Sequence, residues 1–339
     1  MRNSIGTSVI LTLFGESHGE AVGAVLDGLA PGIEVDEKFI ALKLAERRPS
    51  GPADTARREP DEFRIISGVF NGMTTGAPLC ILIPNVNVRS DDYAANAGLP
   101  RPSHADFTAH IKYDGFEDWR GGGHFSGRIT AAIVAAGAIL LKALEDKGVS
   151  ILTHIIECAG ITDEDGFEEA VLKARADGDS VGGIVRTEVT GLEAGLGEPW
   201  FDSLEGALAK AVFAIGGVKG IEFGGGFEMT RKRGSQVNDQ FCVEEGCIRT
   251  STNYSGGING GISNGMPVVF NTAVKPTPSI SVPLKSVNLE TGAEAELVTT
   301  GRHDPAIVRR IGPVITAVAA IVISDMMALR HGTGYLASK

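Results

Sequence analysis

The run Ile129-Thr-Ala-Ala-Ile-Val-Ala-Ala-Gly-Ala-Ile-Leu-Leu-Lys-Ala-Leu-Glu145 holds one charge, Lys142, before its last residue. A helix made from it is apolar almost all round and has to be buried on most sides. A second apolar run at 313–329 is interrupted by Asp325 and predicts a last helix from Val314 to Arg330. The first run is too short and the second too broken to read as membrane spans. The first therefore predicts a helix that the rest of the chain must cover, and the second a helix that closes the chain.

Alternating and β-branched runs predict strands at Ser8–Phe14, Ala21–Asp27, Phe63–Phe70, Pro78–Pro84, Ile151–Cys158, Val181–Val189, Val268–Val274 and Ser279–Val282. Helical patterns fall at Phe167–Ala176 and Leu204–Ile215, and Asp36 is a fitting N-cap for a helix that Pro49 stops. Polar loops are expected at 50–61, rich in proline, and at 85–123. There is no regular β-α alternation, no low-complexity linker and no repeat. The pattern favours one α+β domain over 1–339 rather than a doubly wound sheet.

Apolar content of 43% and charged content of 22% are those of an ordinary globular protein. A net charge of −11 argues against nucleic acid or an anionic membrane as partner. It leaves room for an anionic small molecule, because Arg47, Arg48, Arg57 and Arg58 cluster, as do Arg231, Lys232 and Arg233. Four scattered cysteines make neither a disulfide framework nor a zinc site. No signal-peptide hydrophobic region opens the chain, so a cytoplasmic enzyme is expected.

Four glycine-rich segments each offer a histidine: Gly15-Glu-Ser-His-Gly19, Arg101-Pro-Ser-His-Ala-Asp106, Gly121-Gly-Gly-His-Phe-Ser-Gly-Arg128 and Gly301-Arg-His-Asp-Pro305. Glycine lets backbone approach a ligand, histidine titrates near neutral pH, and arginine grips phosphate or carboxylate in a fork. Each segment also has a plain reading. The first matches the hydrolase Gly-x-Ser-x-Gly elbow, but that needs a helix to follow, and here a strand does; a tight turn between strands explains it as well. His104 is either oriented by Asp106 for proton transfer or a solvated loop histidine. The triple glycine before the helix at 129 is either an anion cradle or a flexible connector. Gly301–Pro305 also reads as a capped turn with a surface ion pair, the 47–48 arginines as a solvated helix end, and Lys275-Pro-Thr-Pro-Ser279 as an edge bend. Together, four such loops with clustered arginines point to a pocket for a multiply anionic ligand that needs proton transfer.

These motifs resemble, in order and across nearly the whole chain, those of the chorismate synthase family. The resemblance runs through Phe14–Gly19, Arg47-Arg-Pro49, Arg57-Arg-Glu-Pro-Asp61, Ser67–Phe70, Arg101–Asp106, the 120–128 loop, Val218-Lys-Gly220, Arg233–Gln236, Gly256–Gly265, Lys275-Pro-Thr277 and Gly301–Pro305. It implies an anti-1,4 elimination of phosphate from 5-enolpyruvylshikimate 3-phosphate to give chorismate, dependent on reduced FMN yet without net redox change. It also implies a helical layer between two mainly antiparallel sheets and a homotetramer.

By the same resemblance, His18 protonates the departing phosphate, His104 acts on the reduced flavin, and Asp304 helps relay the ring proton. Ser17, Arg47, Arg48, Arg101 and Arg128 hold the substrate. Flavin contacts come from His124, Phe125, Ser126, Gly216, Gly217, Gly260, Lys275, Pro276, Thr277, Pro278, Ser279 and Arg302. No metal is implied. Where the family often has Arg-Ser-Ser-Ala-Arg this chain has His124–Arg128, and Gly216-Gly217 stands where Asn-Ala is frequent. NADPH would act only through a separate flavin reductase, since forms that use it directly carry extra sequence. A non-catalytic flavin or phosphorylated-metabolite binder is the rival reading, but it has no use for His18, His104 and Asp304. A flavin oxidoreductase would need a hydride site that no motif supplies.

Overall fold

The computed structural model describes residues 2–49, 51, 60–86, 98–299 and 304–338. The strands that matter for the site are β1 (Ser4–Ile5), β2 (Ile10–Gly15), β3 (Ala21–Asp27), β4 (Arg64–Ser67), β5 (Leu79–Pro84), β6 (Ser150–Cys158), β7 (Gly183–Thr190), β8 (Val218–Phe223) and β9 (Val268–Val274). The helices are α1 (Glu37–Glu46), α2 (Asp106–Lys112), α3 (Thr130–Glu145), α4 (Phe167–Ala176), α5 (Leu204–Phe213) and α6 (Val308–His331). One sheet has the order β1-β2-β3-β5-β4, the other β8-β9-β7-β6, and every pairing within them is antiparallel.

The helices lie between the sheets. α3 packs on β2, β3 and β5, α6 on β6 and β7, and the two helices pack on each other. α1 lies against α3, and α5 fills the space between α6 and β8. This is the expected helical layer between antiparallel sheets. The alternation of β5 puts Leu79, Ile81 and Ile83 inward, and that of β9 does the same for Val268, Phe270 and Val274. Each such side chain, fully buried, contributes about 1.5–3 kcal/mol. Buried apolar residues form one continuous cluster from Val9 to Leu336.

Both core helices are long and apolar enough to cross a membrane, yet 83% of each such stretch is buried inside the fold. Asp325 does not interrupt α6. Its carboxylate turns to the chain start and accepts from the backbone N–H groups of Thr7, Ser8 and Val9 at 2.7–3.1 Å. α6 also begins before the expected Val314, with Pro313 inside it, because a proline early in a helix removes few backbone bonds. The expected strand at Ser279–Val282 is absent, and the strand there is Leu284–Val287. The 85–123 loop contains α2, and the 63–70 strand breaks at Gly68.

Candidate active site

The triple glycine carries both histidines. Gly121, Gly122 and Gly123 all have positive φ, at 59°, 84° and 51°, which lays their bare backbone out as a ledge. A Cβ at Gly121 would lie 2.1 Å from His18 Cε1, and one at Gly122 would lie 3.0 Å from His104 Cε1. Consecutive glycines are thus the seats of two imidazoles from distant parts of the chain. Ser17 and His18 sit in the turn joining β2 to β3, and the Ser17 N–H donates to the Gly123 carbonyl at 3.1 Å.

Hydrogen bonds orient both imidazoles. The Ser17 hydroxyl has one proton, directed at the carbonyls of Arg120 (3.2 Å) and Gly121 (3.3 Å). With that proton so used, the hydroxyl is placed to accept from His18 Nδ1 at 3.1 Å, which orients the ring. His104 Nδ1 donates to the ionised Asp106 at Oδ1, 2.6 Å away, with Arg101 Nη2 3.1 Å from the same ring nitrogen. Burial works to raise the Asp106 pKa, but hydrogen bonds from Arg101 and His104 win and hold it well below the usual carboxylate range. Arg101 forks onto the same carboxylate at 2.7 and 2.8 Å and reaches Ser279 Oγ at 3.4 Å. Its guanidinium is committed to Asp106, rather than open to an anion.

A cavity of about 620 Å³ holds most of the remaining candidates. At one end are Arg47 and Arg48, just past the end of α1, and Arg128, at the start of α3. All three converge on Asp61. Arg47 Nη2 donates to it at 3.2 Å, Arg48 Nε at 3.5 Å, and Arg128 Nη1 to its other oxygen. Arg128 also donates to Asn85 Oδ1 and the Pro84 carbonyl, both at 3.0 Å. The Asp61 side chain is fully buried. Burial alone would raise its pKa, and Arg47 and Arg128 instead pull it below the ordinary carboxylate value. Arg47 is lowered from its own ordinary value, first by burial, and its Nε has no partner among the described residues.

Asp304 lines the cavity, its Oδ2 accepting from Arg310 Nη1 at 2.7 Å while Arg310 Nε donates to the Arg47 carbonyl at 3.0 Å. Phe125, Ser126, Gly216, Gly217, Thr277 and Pro278 line the walls with Phe213, Ile215 and Ile307. At the far end Lys275 Nζ donates to the Ser103 carbonyl at 2.5 Å, and burial, then Lys219, pushes the Lys275 pKa down. The Thr277 hydroxyl is buried without a partner among the described residues. Two crowded cations and an orphaned hydroxyl beside apolar walls and open backbone at Gly216 fit a flat apolar group that carries a phosphate.

Not every candidate comes to this cavity: Ser17, His18 and Arg101 are not among its lining residues. His124 Nδ1 donates to the Gly15 carbonyl at 2.7 Å, and its ring lines a second cavity of about 650 Å³ beyond the ledge, with Phe14, Tyr113 and Trp119. Gly260 lies in a hairpin with Ile258 and Ser263 and lines neither cavity. Pro276 is exposed at the rim, and Arg302 lies outside the described residues. Asp61, Arg310, Lys219 and Asn85 carried no role in the sequence reading. Asp61 stood in a matched motif, but nothing local marks a carboxylate as the meeting point of three arginines.

The family model described as chorismate synthase matches residues 9–328. A chorismate synthase of Dehalococcoides mccartyi is 45% identical over 98% of both chains. That of Chitinophaga pinensis is 46% identical over 97% of both, and that of Thermococcus gammatolerans 44% over 96% of this chain and 97% of its own. A solved structure titled "Crystal Structure of Chorismate Synthase" superposes with a TM-score of 0.76 at 27% identity, covering 97% of this chain and 94% of that one. Sequence and fold agree over the same span, and the chain belongs to the chorismate synthase family.

Proposed function

We infer that this chain is a lyase that eliminates phosphate from 5-enolpyruvylshikimate 3-phosphate to give chorismate. The convergence of Arg47, Arg48 and Arg128 with His104 and Asp304 on one cavity carries the reading. A substrate with a phosphate and two carboxylates needs clustered guanidiniums, and an acidic chain that gathers them in one buried place offers them. A non-catalytic binder is not favoured, since it would leave the oriented histidines without work.

The family depends on a reduced flavin, here FMN, which when bound supplies the electron density that helps phosphate leave. Lys275, Thr277, Ser279, Gly216 and Gly217 would hold it, with Phe125 against its flat face. His18, its Nδ1 tied to Ser17, offers Nε2 to the departing phosphate oxygen. His104, fixed by Asp106, would hold a proton beside the flavin, and Asp304, steadied by Arg310, would take part in removing the ring proton. The ledge keeps both imidazoles from turning away. Arg101, its guanidinium held by Asp106, would serve by fixing that carboxylate rather than by direct substrate contact.

The protein as a single-domain, cytoplasmic homotetramer completes the proposal. Exposed Phe201, Phe227, Phe241, Val243 and Ile248 support assembly, since so many bare apolar side chains favour cover by another copy. NADPH would enter only through a separate reductase. The test is anaerobic incubation of the pure protein with the phosphorylated substrate and FMN. Chorismate should form when dithionite reduces the flavin, and neither chorismate nor flavin bleaching should follow with NADPH alone. No product with dithionite-reduced FMN would end the functional reading; bleaching by NADPH alone would end only the reductase part.

A further inference from the structure

Asp61 sits where an anionic ligand would be expected. Its carboxylate is buried among Arg47, Arg48 and Arg128 at the wall of the cavity, and its backbone adopts φ 51°, a left-handed conformation that costs an L-residue energy. Glycine would adopt it freely. A strained conformation at a cavity wall fits a residue kept there for its side chain.

We propose that Asp61 is a positioning residue for the substrate, whose buried carboxylate gathers three mutually repelling guanidiniums into one comb that stays net positive toward the substrate's anionic end. The proposal rests on the reaction proposed above. Without the carboxylate, Arg47, Arg48 and Arg128 would repel one another across a buried space, and each would lose its shared acceptor. With it, their forks are already aligned, and the orphaned Arg47 Nε remains as a donor for an incoming oxyanion. The neighbouring Arg310 adds no further surplus, because Asp304 answers its charge. Among the described residues, the Asp61 carboxylate hydrogen-bonds only the arginines, and it acts through them.

Replacing Asp61 by glycine removes the carboxylate while easing the backbone, and leaves a gap that formate can enter. Calorimetric titration with 5-enolpyruvylshikimate 3-phosphate should show binding weakened about tenfold or more in Asp61→Gly, with oxidised FMN binding unchanged. In turnover with reduced FMN, KM should rise far more than kcat falls. Added formate should restore substrate affinity to the variant and not improve it in the wild type. Wild-type or tighter substrate binding in Asp61→Gly would overturn the proposal, as would a loss that formate fails to repair. If Asp61→Gly does not fold, Asp61→Asn carries the test: it keeps the shape and loses the charge, so weaker substrate binding with intact FMN binding supports the proposal, and unchanged binding overturns it. Failure of wild-type protein to form chorismate would count against the reaction. Failure of Asp61 variants to differ from an active wild type would count only against this role.

Discussion

A Cβ added at Gly121 would stand 2.1 Å from His18 Cε1 and one at Gly122 would stand 3.0 Å from His104 Cε1, so both positions couple backbone to catalysis. We expect Gly121→Ala to lower turnover by roughly the hundredfold typical of losing a general acid–base group, with Gly122→Ala milder because its neighbour needs to give less. Steady-state chorismate formation with reduced FMN measures both, and wild-type turnover in Gly121→Ala would sink the idea of a ledge. In the sequence these glycines read as an anion cradle or a connector. Their seating of imidazoles was illegible, because His18 is a hundred positions away and a missing Cβ leaves no mark of what fills its place. His104 was more legible, since its orienting Asp106 is only two residues on.

At the scale of the element, α3 and α6 cross at Gly137. A Cβ there would meet Ala317 Cβ at 2.5 Å and the Ala317 carbonyl oxygen at 2.8 Å, and a helix backbone cannot step aside. Alanine gains about 1 kcal/mol over glycine in helix propensity, whereas overpacking costs about 1–3 kcal/mol. Overpacking should win. Gly137→Ala is expected to melt several degrees below the wild type in a thermal scan, and a rise in Tm would show that the helices separate freely. Elements with strong local signals were read nearly to the residue: Ala21–Asp27, Phe167–Ala176 and Val268–Val274, and α1 with Asp36 capping Lys38 and Phe39. α2 was missed because its seven residues span less than two full turns of useful pattern and leave Phe107 and Ile111 exposed. Ser279–Val282 has strand-like composition but no partner strand in either main sheet.

Over the whole molecule, the buried Asp61 joins the end of α1 to the start of α3, while the half-buried Asp106 fixes His104 and Arg101 within one loop. Both have folded pKa values below the ordinary 3.8, so each adds stability that is present above that value and is lost as pH falls through the folded pKa. The melting temperature should therefore hold above about pH 5 and fall progressively below about pH 4. Asp106→Asn should be less stable at neutral pH and show a shallower acid slope than the wild type. Parallel slopes from pH 5 downward would rule out Asp106 as a contributor. The sequence by itself determined that the helix at 129–145 needs cover on most sides, that helices and strands combine without β-α alternation, and which loops bear histidine and arginine. Those properties are written in neighbouring residues through periodicity, capping and composition. Only the tertiary structure decided that Arg128 shares Asp61 with Arg47, that Arg310 steadies Asp304, that His124 turns to the second cavity and that Gly260 lies apart from both. Apart from Arg310 and Asp304, six positions apart, such partnerships join residues 14 to 109 positions apart, and they depend on where the packed layers bring each loop rather than on the residues beside it.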